Sequence, residues 1–166
     1  EEHADLAIRI GELPDSSLVA MRIGAIRRVA CASPAYFVAH GPVTTPDDLA
    51  THHCITFEGL MSPERWSFGA GRTETSVRIH SRLVVNTAEA AVDAAIAGLG
   101  ITRVLSYQAV QGLRDGALVI ALAPFEPSPW PVHLVFTGGG PSPIKLRAFL
   151  DFAGPRLKAR LAEAMV

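Results

Sequence analysis

The chain has 166 residues, 49% hydrophobic and 19% charged, enough to build one ordinary domain or two small lobes and too apolar for a disordered segment. Its 15 Lys and Arg against 16 Asp and Glu argue against a broadly basic nucleic-acid surface. No run approaches the ~20 apolar residues needed to span a bilayer, and Glu1-Glu2-His3-Ala4-Asp5 has neither the basic stretch nor the apolar core of a secretion signal. With no initiator Met, the chain is expected to be processed or part of something longer. A buried strand, Leu6-Ala7-Ile8-Arg9-Ile10, opens the predicted elements; Gly11 closes it and Pro14-Asp15-Ser16-Ser17 supplies turn chemistry. A short strand follows over residues 18–23, with Gly24 as its break, and another over 27–32. Ser33-Pro34 then starts a helix through His40, a serine cap before a proline at the first helical position. Gly41-Pro42 stops it, and Thr45-Pro46-Asp47-Asp48 starts a short helix with capping-box spacing.

Cys54-Ile55-Thr56-Phe57 reads as a strand, and residues 66–68 and 76–79 as a hairpin around Gly69-Ala70-Gly71-Arg72. A strand over 82–85 runs into Asn86-Thr87-Ala88-Glu89, a second capping box, and the helix after it lines up Ala88, Ala91, Val92, Ala95, Ile96 and Leu99 on one face. Gly98 and Gly100 end that helix. Residues 101–105 form a strand, 107–113 a helix, 117–122 a strand, and Pro124, Pro127, Pro129 and Pro131 mark an irregular loop. Val132-His133-Leu134-Val135-Phe136 is the last strand; a glycine-rich turn over 137–142 leads to a helix from Pro143, which Gly154-Pro155 should kink or end. Strands alternating with helices predict an α/β fold with a largely parallel sheet. Cys31 and Cys54 lie in apolar runs and read as reduced, buried thiols, which fits a cytoplasmic protein.

Three times a buried strand runs into a capped helix start: Cys31-Ala32-Ser33-Pro34, Val85-Asn86-Thr87, and Phe136 through Gly140 to Ser142-Pro143. Ligands of open α/β sheets settle at the carboxyl ends of strands. A helix start adds unpaired N–H groups and about half a positive charge, so several starts facing one crevice would favour a carboxylate or other anion. Ser33, Asn86, Thr87, Thr137 and Ser142 would add side-chain donors, although each also reads as a plain cap or turn residue. Enzyme motifs do not hold. Ser142-Pro143-Ile144-Lys145 fits a Ser-x-x-Lys string but is explained as a cap. His40, His52, His53 and Cys54 lack metal-ligand spacing, so no metal is expected. Gly98-Leu99-Gly100 ends a helix where a dinucleotide loop would start one, and Gly138-Gly139-Gly140 has no phosphate-loop lysine. Arg22, Arg27 and Arg28 read as a solvated face. From the residues alone, the chain is a small-molecule sensor or binding module with no catalytic centre and no cofactor.

Several stretches, in order, resemble the effector domain of LysR-type transcriptional regulators. These are Asp5-Leu6-Ala7-Ile8-Arg9-Ile10-Gly11, Leu13-Pro14-Asp15-Ser16-Ser17-Leu18-Val19-Ala20, Arg28-Val29-Ala30-Cys31-Ala32-Ser33-Pro34-Ala35-Tyr36-Phe37, Thr45-Pro46-Asp47-Asp48-Leu49, Ala97-Gly98-Leu99-Gly100-Ile101 and Pro131-Val132-His133-Leu134-Val135-Phe136. The last is Ser142-Pro143 with Arg147-Ala148-Phe149-Leu150-Asp151-Phe152. The resemblance implies a two-lobed effector domain of the periplasmic-binding-protein-like (type II) kind, with the first lobe partial (1–26 plus 138–166) and the second complete (27–137). It implies crossing strands at 27–32 and 132–137. It also implies a small-molecule effector, often an organic acid, held between the lobes, with Arg9, Ser33, Asn86, Thr87 and Thr137 as lining candidates. DNA contact would come only through an N-terminal winged helix-turn-helix outside this chain, in a full-length protein that forms a homo-oligomer. Two places depart from the family pattern near the expected cleft: Thr102-Arg103-Val104-Leu105, where a Leu-Pro is usual, and Thr137-Gly138-Gly139-Gly140-Pro141, where a basic residue is usual. A transport-type solute-binding protein and an enzyme on the same scaffold are the alternatives.

Overall fold

A computed structural model describes residues 5–57, 64–69, 71, 74–138 and 144–165. The chain divides into two units, Glu1–Ile26 with Pro129–Val166, and Arg27–Ser128.

In the first unit, β1 (Leu6–Ile10), β2 (Leu18–Ile26) and β10 (Trp130–Thr137) form an antiparallel sheet in the order β1-β10-β2. The expected break at Gly24 does not occur: β2 runs on to Ile26. Gly24 is there because a helix comes close; a Cβ on it would stand 3.0 Å from Leu161. The irregularity is taken up instead by a register shift between Val132 and His133, where Ile23 is the extra residue of a bulge. The helix is α4 (Ile144–Glu163), and it continues through Pro155. Proline leaves the carbonyl four residues back without its helical donor. That residue, Asp151, and Pro155 are both exposed, so water can satisfy the group. The helix start expected at Ser142 lies outside the described residues. The sequence reading placed 129–137 with the second lobe. Since β10 pairs on both edges with β1 and β2, these residues belong to the first unit.

The second unit is built on a five-stranded sheet in the order β7 (His80–Val85), β4 (His53–Phe57), β8 (Ile101–Leu105), β3 (Arg28–Ala32), β9 (Val119–Ala121). β4 pairs in parallel with β7 and β8, whereas β3 is antiparallel to both β8 and β9. Four strands therefore point one way and β3 alone points back. The expected largely parallel sheet gives way to mixed pairing here and to purely antiparallel pairing in the first unit. β7 and β8 are joined through α2 (Ala88–Ile96), and β8 and β9 through the helix over Ser106–Arg114, the helical crossovers that strands running the same way in one sheet need. Burial on both faces explains the near-continuous apolar runs of β3, β4 and β8. One face packs Val29, Cys31, Ile55 and Val104 against Ala91 and Ala95 of α2 and Ala109 of α3 (Ser106–Arg114). The other packs Ala30, Cys54 and Ile101 with Tyr36 of α1 (Pro34–His40), Leu49, Trp66 and Phe68. Trp66 and Phe68 belong to β5 (Arg65–Phe68), which pairs antiparallel with β6 (Thr75–Arg78). Ala70 and Arg72 of the expected hairpin turn lie outside the described residues. Cys31 and Cys54 are free and fully buried in different clusters, and burial pushes both thiols up to about 12. No helix among the described residues is long and apolar enough to cross a membrane.

Candidate functional site

Because β4, β7 and β8 run together, their carboxyl ends share one edge of the sheet. Two helices open there. Thr87 ends the strand segment in an extended conformation and caps α2, its Oγ1 accepting from Ala90 N at 3.2 Å. The cap is thus one residue later than the Asn86 capping box expected from sequence; Asn86 precedes it and is exposed. At the end of β8, Gln108 Oε1 accepts from Leu105 N at 2.9 Å, closing the start of α3. Ser106 ties this opening to the amino end of β3: its N donates to Arg27 O at 2.9 Å, and its Oγ accepts from Arg27 N at 3.2 Å. The Arg27 guanidinium is gripped in turn by Glu126, Nε to Oε2 at 2.7 Å and Nη2 to Oε1 at 2.8 Å.

Ser33 is not part of this edge. It follows the carboxyl end of β3, the strand that runs the other way, and caps α1 through Tyr36 N. Its Oγ lies 3.6 Å from where a Cβ would sit on Gly98, beyond the carboxyl end of α2. A nine-residue helix separates that point from Thr87, about 13 Å along the axis. The grouping of Ser33 with Asn86 and Thr87 therefore fails within a single unit, because the reversal of β3 sends its helix start to the opposite edge.

In the first unit, Arg9 is exposed on β1 and lines a cavity of about 340 Å³ with Glu12, Leu13, Pro14, Leu18 and Val135. Thr137 ends β10 on the same sheet face but four residues beyond His133, the partner of Arg9. That spacing is about 13 Å along the strand, so the two do not meet.

The strongest polar feature of the second unit lies in Thr102-Arg103-Val104-Leu105, a stretch that stands out in sequence only as a departure from the family pattern and not as a source of lining residues. Arg103, in the middle of β8, is 1% exposed. It lies on the Phe68 side of the sheet, its Cζ 4.6 Å from the centre of that ring. Among the described residues no hydrogen-bond acceptor reaches its Nε or Nη2. Burial, then the like charge of Arg28, pulls its guanidinium down to about 9. The sequence signal was a charged residue inside an otherwise uncharged, fully buried strand, Ile101-Thr102-Arg103-Val104-Leu105. At the other edge, Tyr36 gathers three histidines: its ring stacks on His40 at 4.3 Å, its hydroxyl sits 3.2 Å from His52 Nδ1, and it accepts from His53 N at 2.9 Å. Burial, then the neighbouring His40, holds His52 below the usual histidine range. Among the described residues no group of three or more His, Cys, Asp and Glu is placed to hold a metal ion.

Comparison with known proteins places this geometry. The profile of the LysR substrate binding domain matches residues 1–158. A probable HTH-type transcriptional regulator, LtrA, of Klebsiella pneumoniae is 31% identical over 163 residues, covering 96% of this chain and 52% of that protein. An uncharacterized HTH-type transcriptional regulator of Haemophilus influenzae is 32% identical over 145 residues, 87% of this chain and 50% of its own length. The chain thus spans about half the length of these curated relatives. Among solved structures, the regulatory domain of AphB in Vibrio vulnificus matches with a TM-score of 0.77 at 28% identity, covering 89% of this chain and 73% of that one. The CrgA regulatory domain of Neisseria meningitidis gives 0.76 at 27%, covering 92% and 75%. The fold is the α/β, periplasmic-binding-protein-like type II fold of these regulatory domains. The sequence resemblance is thereby borne out: the chain belongs to the LysR substrate-binding domain family.

Proposed function

We propose that the chain is the effector-sensing part of a LysR-type transcriptional regulator, binding a small organic acid, and that it carries out no catalysis. The observation that carries this reading is the shared edge of the second unit, where the amino ends of α2 and α3 open beside parallel strand ends in a chain of this family. Such openings favour an anion. In this reading the first unit is a partial lobe, the second a complete one, and Asn86, Thr87, Arg9 and Thr137 contribute to effector recognition. DNA is contacted through a winged helix-turn-helix outside these residues, in a homo-oligomeric, cytoplasmic protein. Effector binding acts by favouring one of two conformations that differ in regulatory output.

The test is a promoter-reporter assay of the full-length regulator against benzoate, phenylacetate and succinate, in wild type, Asn86→Ala and Thr87→Ala. The expected outcome is a response to at least one acid whose half-maximal concentration rises in the variants, while affinity for promoter DNA stays unchanged. An unaltered dose response in both variants refutes the placement at this edge.

A further inference from the structure

The buried guanidinium of Arg103 is the feature that the fold does not explain. A buried ion is costly unless paired, and proteins pair such ions or dispense with them. Here the guanidinium carbon lies over the Phe68 ring, 4.6 Å from its centre, and Nε and Nη2 are the two atoms without an acceptor among the described residues. Those two nitrogens form one side of the arginine fork. Their N–H bonds run parallel and match the two oxygens of a carboxylate. The same unit shows that match: Arg27 presents Nε and Nη2 to Glu126, filling both carboxylate oxygens at 2.7 and 2.8 Å. Glu126 is thereby committed to Arg27, although its charge is felt at Arg103. A second cation, Arg28, lies on the same sheet face, one position toward the edge where α2 and α3 open, since Arg28 pairs with Leu105 and Ala30 with Arg103. The surroundings are apolar: Ile101, Phe68 and Trp66 are all buried on this side.

We infer that Arg103 is the carboxylate receptor of the second unit, taking both oxygens of a small organic acid on its Nε and Nη2 while Phe68 holds the guanidinium plane. This rests on the sensing role proposed above and gives it a specific chemical contact. Phe68 leads into Gly69, whose N donates to Phe125 O at 2.7 Å.

The test is ¹⁵N-detected NMR of arginine Nε groups in the 166-residue chain, titrated separately with sodium benzoate, benzamide and sodium phosphate. The Arg103 signal is identified by its loss in Arg103→Lys. Benzoate is expected to move it saturably and neutral benzamide to leave it in place. Arg103→Lys, which keeps the charge and loses the fork, is expected to bind benzoate at least about tenfold more weakly. Arg103→Met, which removes the buried charge, is expected to melt at or above the wild-type temperature without ligand and to gain nothing from benzoate. The inference is overturned if benzoate leaves the Arg103 signal unmoved, if Arg103→Lys binds it as wild type does, or if only phosphate moves the signal. The last outcome would make the site one for inorganic anions. A reporter response to an organic acid that persists in Arg103→Met sinks this inference and leaves the sensing role standing. A saturable benzoate shift without any reporter response to organic acids does the reverse.

Discussion

Gly100→Ala should loosen the strand that carries Arg103, and the structure sets the size of the effect. Gly100 is buried and immediately precedes β8, where a Cβ would stand 2.6 Å from His53 O and 3.1 Å from His53 C. Real Cβ contacts essentially never fall below 3.0 Å, and the obstacle here is backbone, which cannot swing aside. The two strands must part by about 0.4 Å or more at a point next to the Cys54–Ile101 pairing. Overpacking of this kind costs about 2–3 kcal/mol, or roughly 5–10 °C in Tm for a chain of this size. Gly112→Ala is the matched control. Its Cβ would also fall short, 2.9 Å from Leu118 Cδ1 and 3.1 Å from Leu118 Cγ, but these are side-chain and not backbone atoms, and Gly112 lies inside α3. The helix preference for Ala over Gly, about 1 kcal/mol, offsets the crowding. Urea denaturation followed by circular dichroism measures both variants. If Gly112→Ala destabilises as much as Gly100→Ala, or if Gly100→Ala costs under about 1 kcal/mol, the backbone-contact reasoning is wrong.

Three further outcomes are expected. Thr87→Ala removes the α2 cap and should lower stability by about 1 kcal/mol, with Thr87→Ser restoring most of it in the same denaturation assay. Trp66→Ala empties one of the largest fully buried sites and should cost about 3–5 kcal/mol, read from the urea midpoint at constant slope. His52 is held neutral by burial and by His40, so its folded pKa lies below its unfolded value. The unfolded chain then takes up more protons, and the stability His52 contributes, full above about pH 6.5, drains away as pH falls through the folded value. Melting temperatures between pH 7.5 and 5 should fall less steeply in His52→Gln than in wild type; parallel slopes would show that His52 is not the group responsible.

Much of the fold was legible because its signals are local. The cap at Ser33 before Pro34, the apolar face of α2 and the runs of β3, β4 and β8 are readable from spacing and turn chemistry alone. The direction of β3 was not, because strand polarity depends on pairing across the sheet, and nothing in Arg28-Val29-Ala30-Cys31-Ala32 encodes it. That one reversal removed Ser33 from the helix starts it had been grouped with. Gly24 misled for a related reason: a breaker by local rule, it stays within β2 where Leu161 comes close, and Pro155 likewise does not end α4, because solvent can serve the carbonyl it leaves free. Arg103 passed unremarked as a site residue because a single charge in an apolar run carries no spacing pattern. Its meaning appears only once Phe68, distant in sequence, is folded over it.

The clasp at the start and end of the second unit has a practical consequence. Arg27, its first residue, holds Glu126, two positions before its last, and also bonds Ser106 through both backbone polar groups. The entering and leaving chains are thus fastened side by side by contacts internal to the unit. Produced by itself, a 27–128 polypeptide would keep its own fastening, with termini near enough to be joined by a short linker or grafted into a host loop.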